Sequence, residues 1–466
     1  MRARSGEGLV TVLIAAVLVG GLALDSWGPD LAEPIVRDAP AGDLYTAKAV
    51  FCPPPLDRPP AGLTLTAMSR SGVDVTVGIE PESEERLDLP GDAILEHKPT
   101  AVGPSDLVGY GGALEGSAVT SLTDPVDGVG AGACSRRASP RWYFPEGNST
   151  VTHDERLLVY NPFPDEAVVR VSLFTPGGER AKAGLADLPV PSESAVIVPL
   201  KDFILEQKVL GAAITTVRGR VVAWRLSIAE PEEKASGVQF TLGATSTSDE
   251  WYFPEGAIGE GYHERLSVLN PGDQEAVVNV LLVTAEGSAP ASSLAEVAVP
   301  ARSTIQMVLD PSQLAGRRVQ LGGFGAVVTS ANGVPIVAER TVFYATEDLD
   351  GVASEVGAST LSSSWLLGPA TSRPDTDTVV LLNPTGKDPV EVSLTLLREN
   401  GDPLRPKPLR GLVVNPASRL RIPLMEYTRG EPVAVVVEGS GALVAERFSY
   451  SGAAGDVGSL MGIPLD

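Results

Sequence analysis

Valine, isoleucine and leucine recur along this chain at alternate positions, in short runs broken by turn residues. In residues 167–174 (AVVRVSLF), Val169, Val171 and Leu173 point one way, and Val168, Arg170 and Ser172 the other. Period two with one polar face predicts an antiparallel strand covered on a single side. For residues 142–250 the pattern predicts strands at 142–144, 156–160, 167–174, 195–200, 212–217, 221–228 and 238–242, with one or two helical turns near 202–209. Seven short strands in about 110 residues is the pattern of an immunoglobulin-like sandwich, so the expected class is all-β.

The same pattern returns along the chain. Trp142-Tyr143-Phe144-Pro145-Glu146-Gly147 recurs as Trp251-Tyr252-Phe253-Pro254-Glu255-Gly256, and in degraded form as Trp365-Leu366-Leu367-Gly368-Pro369. Asn-Pro follows each Trp after 19, 19 and 18 residues, at Asn161, Asn270 and Asn383. Val-Ala-x-Arg closes the order at Arg225, Arg340 and Arg447. A divergent copy precedes them, in which Val50-Phe51-Cys52-Pro53 aligns with the first four residues of the Trp motif. The expected organisation is repeats at 45–141, 142–250, 251–364 and 365–466, after a linker at 25–44. Whether the repeats form a string or a ring is open at this level. Blades of a one-blade-per-repeat propeller would be shorter, ~40–50 residues.

In the first repeat Cys52 falls at the position of Phe144 and Phe253. By a Gly-Ala-x-Ser/Thr signature, Cys134 falls at that of Thr245 and Ser359. Sheet pairing brings these ends together in each repeat, so the two cysteines are expected to form a disulfide in place of the aromatic anchor. Closing a loop of that length contributes up to ~4.5 kcal/mol.

The N-terminus points to the compartment. Arg2 and Arg4 precede an apolar run at residues 9–24. Sixteen helical residues would cover about 24 Å, short of the ~30 Å hydrocarbon core. Residues 1–24 therefore read as a cleaved signal peptide or as a single membrane anchor, and either places the remainder outside the cytoplasm. The formal net charge is −23. An acidic surface repels phosphate backbones, so nucleic acid is not an expected partner.

Catalytic patterns are sparse. No Gly-x-Ser-x-Gly, phosphate-cradling Gly loop or His-x-x-x-His is present, and the three His and two Cys cannot build a zinc module. His153-Asp154-Glu155 and His263-Glu264 precede equivalent strands and echo a metal site only faintly; Asp375 and Asp377 on a loop are a similarly weak calcium candidate. No cofactor or metal is expected. The aromatic-carboxylate clusters Trp142, Tyr143, Glu146 and Trp251, Tyr252, Glu255, with Trp365, have two readings. They could stack on and hydrogen-bond a sugar, or Trp and Phe could anchor a core while Tyr faces the other side. The Arg of Val-Ala-x-Arg could pair with Glu146 or Glu255, or stand in solvent.

Tandem repeats with this motif, followed by a strand and Asn-Pro, resemble actinobacterial secreted or membrane-anchored proteins of unknown function, whose usual motif reads Trp-Tyr-Phe-Ala-Glu-Gly. The resemblance spans about residues 140–466 and implies β-rich repeats in an envelope or secreted location; it implies no catalytic residues. The expectation is a non-enzymatic envelope scaffold, spacer or assembly partner, and the alternative is a module or adhesin for cell-wall or capsular glycan. Exposure of the tryptophans separates the two.

Overall fold

In the computed structural model the described residues are 48–465, apart from 54–61, 72, 80–82, 99–104, 111–113, 123–125, 231–235, 310–322, 372–373, 400 and 454. The N-terminal apolar segment and the linker lie outside them. Among the described residues no helix is long and apolar enough to cross a membrane. Thr46–Asp466 forms one compact unit.

The chain is all-β. In residues 142–250 all seven expected strands form: Arg141–Phe144, His153–Asn161, Ala167–Thr175, Ser194–Pro199, Gly211–Arg218, Val222–Ala229 and Gly237–Leu242. The expected helical stretch is a short 3-10 turn, Leu200–Asp202. The first strand pairs with the fifth and the fifth with the third, while the fourth, second, sixth and seventh make the facing sheet. Immunoglobulin domains instead pair the second strand with the fifth and the third with the sixth. The sandwich is therefore present with a different strand order. The other three segments repeat it, the divergent first one included, with sheets built on Lys48–Cys52, Ser105–Tyr110 and Val73–Ile79, and on Ala93–His97, Gly62–Ser69, Glu115–Leu122 and Gly128–Ala133. In the fourth, one long strand, Ala434–Ser451, serves as both fifth and sixth.

The Trp motif does structural work. Trp142, Trp251 and Trp365 are 0%, 2% and 1% exposed. Their indole N–H groups donate to the carbonyls of Val221, Ile336 and Leu443, at 2.8, 2.9 and 3.1 Å. Trp and Phe face their own sandwich, whereas Tyr143 and Tyr252 face the next one, in the cores of the third and fourth repeats. The Asn of Asn-Pro is a buried clamp as well as a turn residue. Asn161 accepts from the Phe163 N–H at 3.2 Å and donates to the carbonyls of Asp165 and Val190 at 2.8 and 3.2 Å. Asn270 and Asn383 make the same kinds of bond.

Cys52 and Cys134 form the expected disulfide. The expected alignment of Cys134 is off by two residues, however. Its N–H bonds to Gly116 O at 3.0 Å, as Gly243, Gly357 and Gly462 bond to Ala223, Ala338 and Ala445. Cys134 thus stands in place of Gly243 and Gly357, not Thr245 and Ser359. A Cβ at Gly243 or Gly357 would lie 2.6 or 2.7 Å from the ring of Phe144 or Phe253. Phenylalanine on bare glycine closes the second and third repeats; the disulfide closes the first.

Candidate functional site

The four sandwiches close into a ring. The last strands of the repeats, Gly128–Ala133, Gly237–Leu242, Asp350–Val356 and Asp456–Met461, pack in a cycle: first on second, second on third, third on fourth, fourth on first. Ile94 N–H bonds Arg398 O at 3.2 Å across the closing seam, where Met68 and Ile94 pack on Leu366, Leu397 and Val436.

Asp456 lies on the ring axis. Its Oδ2 accepts the N–H groups of Val129 and Val238 at 3.1 and 2.8 Å, and its Oδ1 those of Val352 and Val457 at 3.1 and 2.7 Å. Each repeat supplies one donor. The equivalent residues in the other repeats are Gly128, Gly237 and Gly351, and a Cβ at either of the first two would lie 2.8 Å from an Asp456 oxygen. One carboxylate with three bare positions fills the axis; four carboxylates would repel and collide. Burial pushes the Asp456 carboxyl well above its ordinary range, and the four N–H bonds pull against that shift.

The seams are clasped by the motif residues themselves. Arg225 and Arg340 are 1% and 0% exposed, which corrects the solvated alternative. Arg225 donates to the backbone carbonyl of Glu146 at 2.5 Å and pairs with Glu339 of the third repeat at 2.7 Å. Arg340 likewise bonds the Glu255 carbonyl, and it pairs with Glu446 of the fourth repeat at 2.5 Å. The expected carboxylate partners, Glu146 and Glu255, reach elsewhere. Glu146 contacts Arg265 at 3.1 Å together with Ser267 and Gln306 of the third repeat. Glu255 contacts Arg419 and Arg421 of the fourth at 2.5 and 3.2 Å. Among the described residues Arg447 has no such neighbour, and it pairs within its repeat with Asp377, at 2.8 and 2.6 Å. At the first seam, Trp224 replaces the glutamate and donates to Ala133 O at 3.0 Å. Buried pairs of this kind fix register more than they add stability.

Glu155, Glu264 and Asp377 occupy one equivalent position beside the three arginines, as the strand registers show. Glu155 lies 3.3 Å from Arg225. These are the acids that echoed a metal or calcium site, and among the described residues no group of three or more His, Cys, Asp or Glu could hold a metal ion. Burial, opposed by the nearby arginine, pushes Glu155 and Glu264 each up to about 8.

At the end of the axis opposite Asp456, the segments leaving the inner strands surround an open cavity of about 620 Å³. Residues 135–137, 243–246, 356–360 and 461–464 border it, with the three motif tryptophans beneath. Because those tryptophans are buried, they offer no open ring face to a sugar, which overturns the stacking form of glycan binding at these residues.

Fold and site together define a closed four-repeat β ring, stapled by one disulfide and clasped by arginine–carboxylate pairs. The chain belongs to the family of unknown function DUF5719, which it matches over residues 111–339 and 325–447. No curated protein matches it. Among solved structures, Thermotoga maritima 1070 is similar at 18% identity over 25% of this chain and 97% of its own, with a TM-score of 0.21. The alpha-L-rhamnosidase of Streptomyces avermitilis, complexed with L-rhamnose, is similar at 10% identity over 89% of this chain and 57% of its own, with a TM-score of 0.13.

Proposed function

We propose that the protein is a non-catalytic component of the extracytoplasmic envelope, whose ring serves as a rigid scaffold or assembly partner. One observation carries this reading: the side chains that looked most like a site are consumed in building the ring. Trp142, Trp251 and Trp365 anchor cores, and Arg225, Arg340, Glu146 and Glu255 clasp seams. The disulfide supports a location outside the cytoplasm, since such bonds persist in oxidising compartments. The apolar run at residues 9–24 would supply export or a tether.

Co-sedimentation of the protein with isolated envelopes tests the reading. Saturable binding that survives removal of wall polysaccharide, and is lost after protease treatment of the envelopes, is the expected result. Release of reducing ends from wall polysaccharide, abolished by a single carboxylate substitution, would overturn it in favour of an enzyme. Saturable binding to purified polysaccharide alone would favour the adhesin.

A further inference from the structure

The repeats provide an internal control for residues that the fold does not require. Beside the axial cavity, at the junction of the first and second repeats, lies an open groove of about 600 Å³. Among the described residues its charged members are Arg137, Arg141 and Arg220, and no carboxylate lines it. The other polar side chains along it are the hydroxyls of Ser139, Thr215, Thr216, Thr245 and Ser246. In a chain of net charge −23, three arginines without a facing acid are out of character. Among the described residues none of the three forms an ion pair. Arg137 donates to Thr245 Oγ1 at 3.2 Å, and the Arg220 guanidinium sits 5.3 Å from the Phe163 ring centroid.

The structure of the other seams shows that these cations are not needed to hold the junction. Ser139 N–H bonds Val221 O at 2.8 Å, just as Ser248 N–H bonds Ile336 O at 2.9 Å. Arg141 lies opposite Thr215 as Glu250 lies opposite Thr329. With that register, Arg137, Arg141 and Arg220 correspond to Ser246, Glu250 and Pro335 at the next seam. At the third seam, where Ser362 faces Leu443 and Ser364 faces Glu438, they correspond to Thr360, Ser364 and Ala442. The same backbone junction is built three times and is basic once.

We propose that this groove binds an acidic saccharide, a uronate or a sugar phosphate. Guanidinium forks match carboxylate and phosphate oxygens, and short hydroxyl side chains match sugar hydroxyls. The acidic surface beyond the groove repels long polyanions, so a short segment fits and a nucleic acid does not. The inference is independent of the scaffold reading, because it uses no clasp or anchor residue.

The test is titration calorimetry of the full-length protein with a galacturonate trimer, glucose 6-phosphate and neutral maltotriose. Binding of one or both acidic ligands, weakened by added salt, with none for maltotriose, is expected; which acidic ligand binds identifies the source of the anion. R137S and R141E, which install the residues of the next seam, should each weaken binding about tenfold or more while leaving the thermal midpoint unchanged. R220A provides a third, uncharged variant. Absence of binding by both acidic ligands, equal binding of maltotriose, or affinity unaltered by the variants would overturn the proposal. Tighter binding of duplex DNA than of either sugar would overturn the saccharide assignment.

Discussion

Replacing Asp456 by alanine should loosen the whole ring, because one carboxylate joins all four repeats. Three of its four N–H partners, on Val129, Val238 and Val352, belong to other repeats. Leaving a buried donor without an acceptor costs ~1–3 kcal/mol, so Asp456→Ala, which orphans all four, forfeits about 4–12 kcal/mol before any water enters the gap. The lower end is the expected minimum. Asp456→Asn keeps the volume but turns one acceptor oxygen into a donor facing two N–H groups. It should therefore lose at least ~2 kcal/mol, although it is nearly isosteric. Urea unfolding followed by tryptophan fluorescence reads both variants, since Trp142, Trp224, Trp251 and Trp365 are buried in the second, third and fourth repeats. If both variants unfold within ~0.5 kcal/mol of the parent, the axial carboxylate does not hold the ring and the reasoning fails.

Stability should fall as pH rises from about 5 to about 8, because Glu155 and Glu264 hold protons in the folded state that the unfolded chain, titrating near 4.5, has already released. Glu155→Gln mimics the protonated form and should flatten part of that slope in urea titrations across pH; a parent stability that climbs over this range would contradict the assignment. Removing the disulfide as Cys52→Ala with Cys134→Ala should cost up to ~4.5 kcal/mol, read by thermal unfolding. Cys52→Phe with Cys134→Gly, which installs the closure of the second and third repeats, should recover much of that loss; recovery no better than the alanine pair would refute the equivalence. Gly243→Ala forces a methyl into the Phe144 ring and should cost about 1–3 kcal/mol, whereas Gly386→Ala, with no heavy atom within 4 Å of its Cβ, should be nearly neutral in the same assay.

The strands and the repeat period were legible because both rest on local pattern: alternating Val and Leu, a fixed Trp-to-Asn spacing, and Val-Ala-x-Arg. The clasps were not, because their partners lie more than a hundred residues away. Glu339 and Glu446 sit at the x of Val-Ala-x-Arg, a position the sequence treats as free, since the second repeat carries Trp224 there. Asp456 was hidden for a related reason. It departs from the glycines of the other repeats, and only the closed ring gives that departure a role. The alignment of Cys134 failed because Gly132-Ala133 mimics Gly243-Ala244 in letters, whereas backbone pairing places Cys134 on Gly243. Identical letters report composition; register is set by which carbonyl each N–H meets and what faces the vacant Cβ. The Trp and Tyr faces, by contrast, were readable from strand alternation alone.

The central claim is closure of four sandwiches into one ring, and small-angle X-ray scattering of residues 46–466 tests it most directly. A compact body of that length has a radius of gyration of ~22 Å, whereas four separate units of ~13 Å strung end to end would give about 40 Å. The ring predicts the smaller value, unchanged by dilution. A value near the larger one would show that the seams, the axial Asp456 and the clasping arginines do not hold the repeats together in solution.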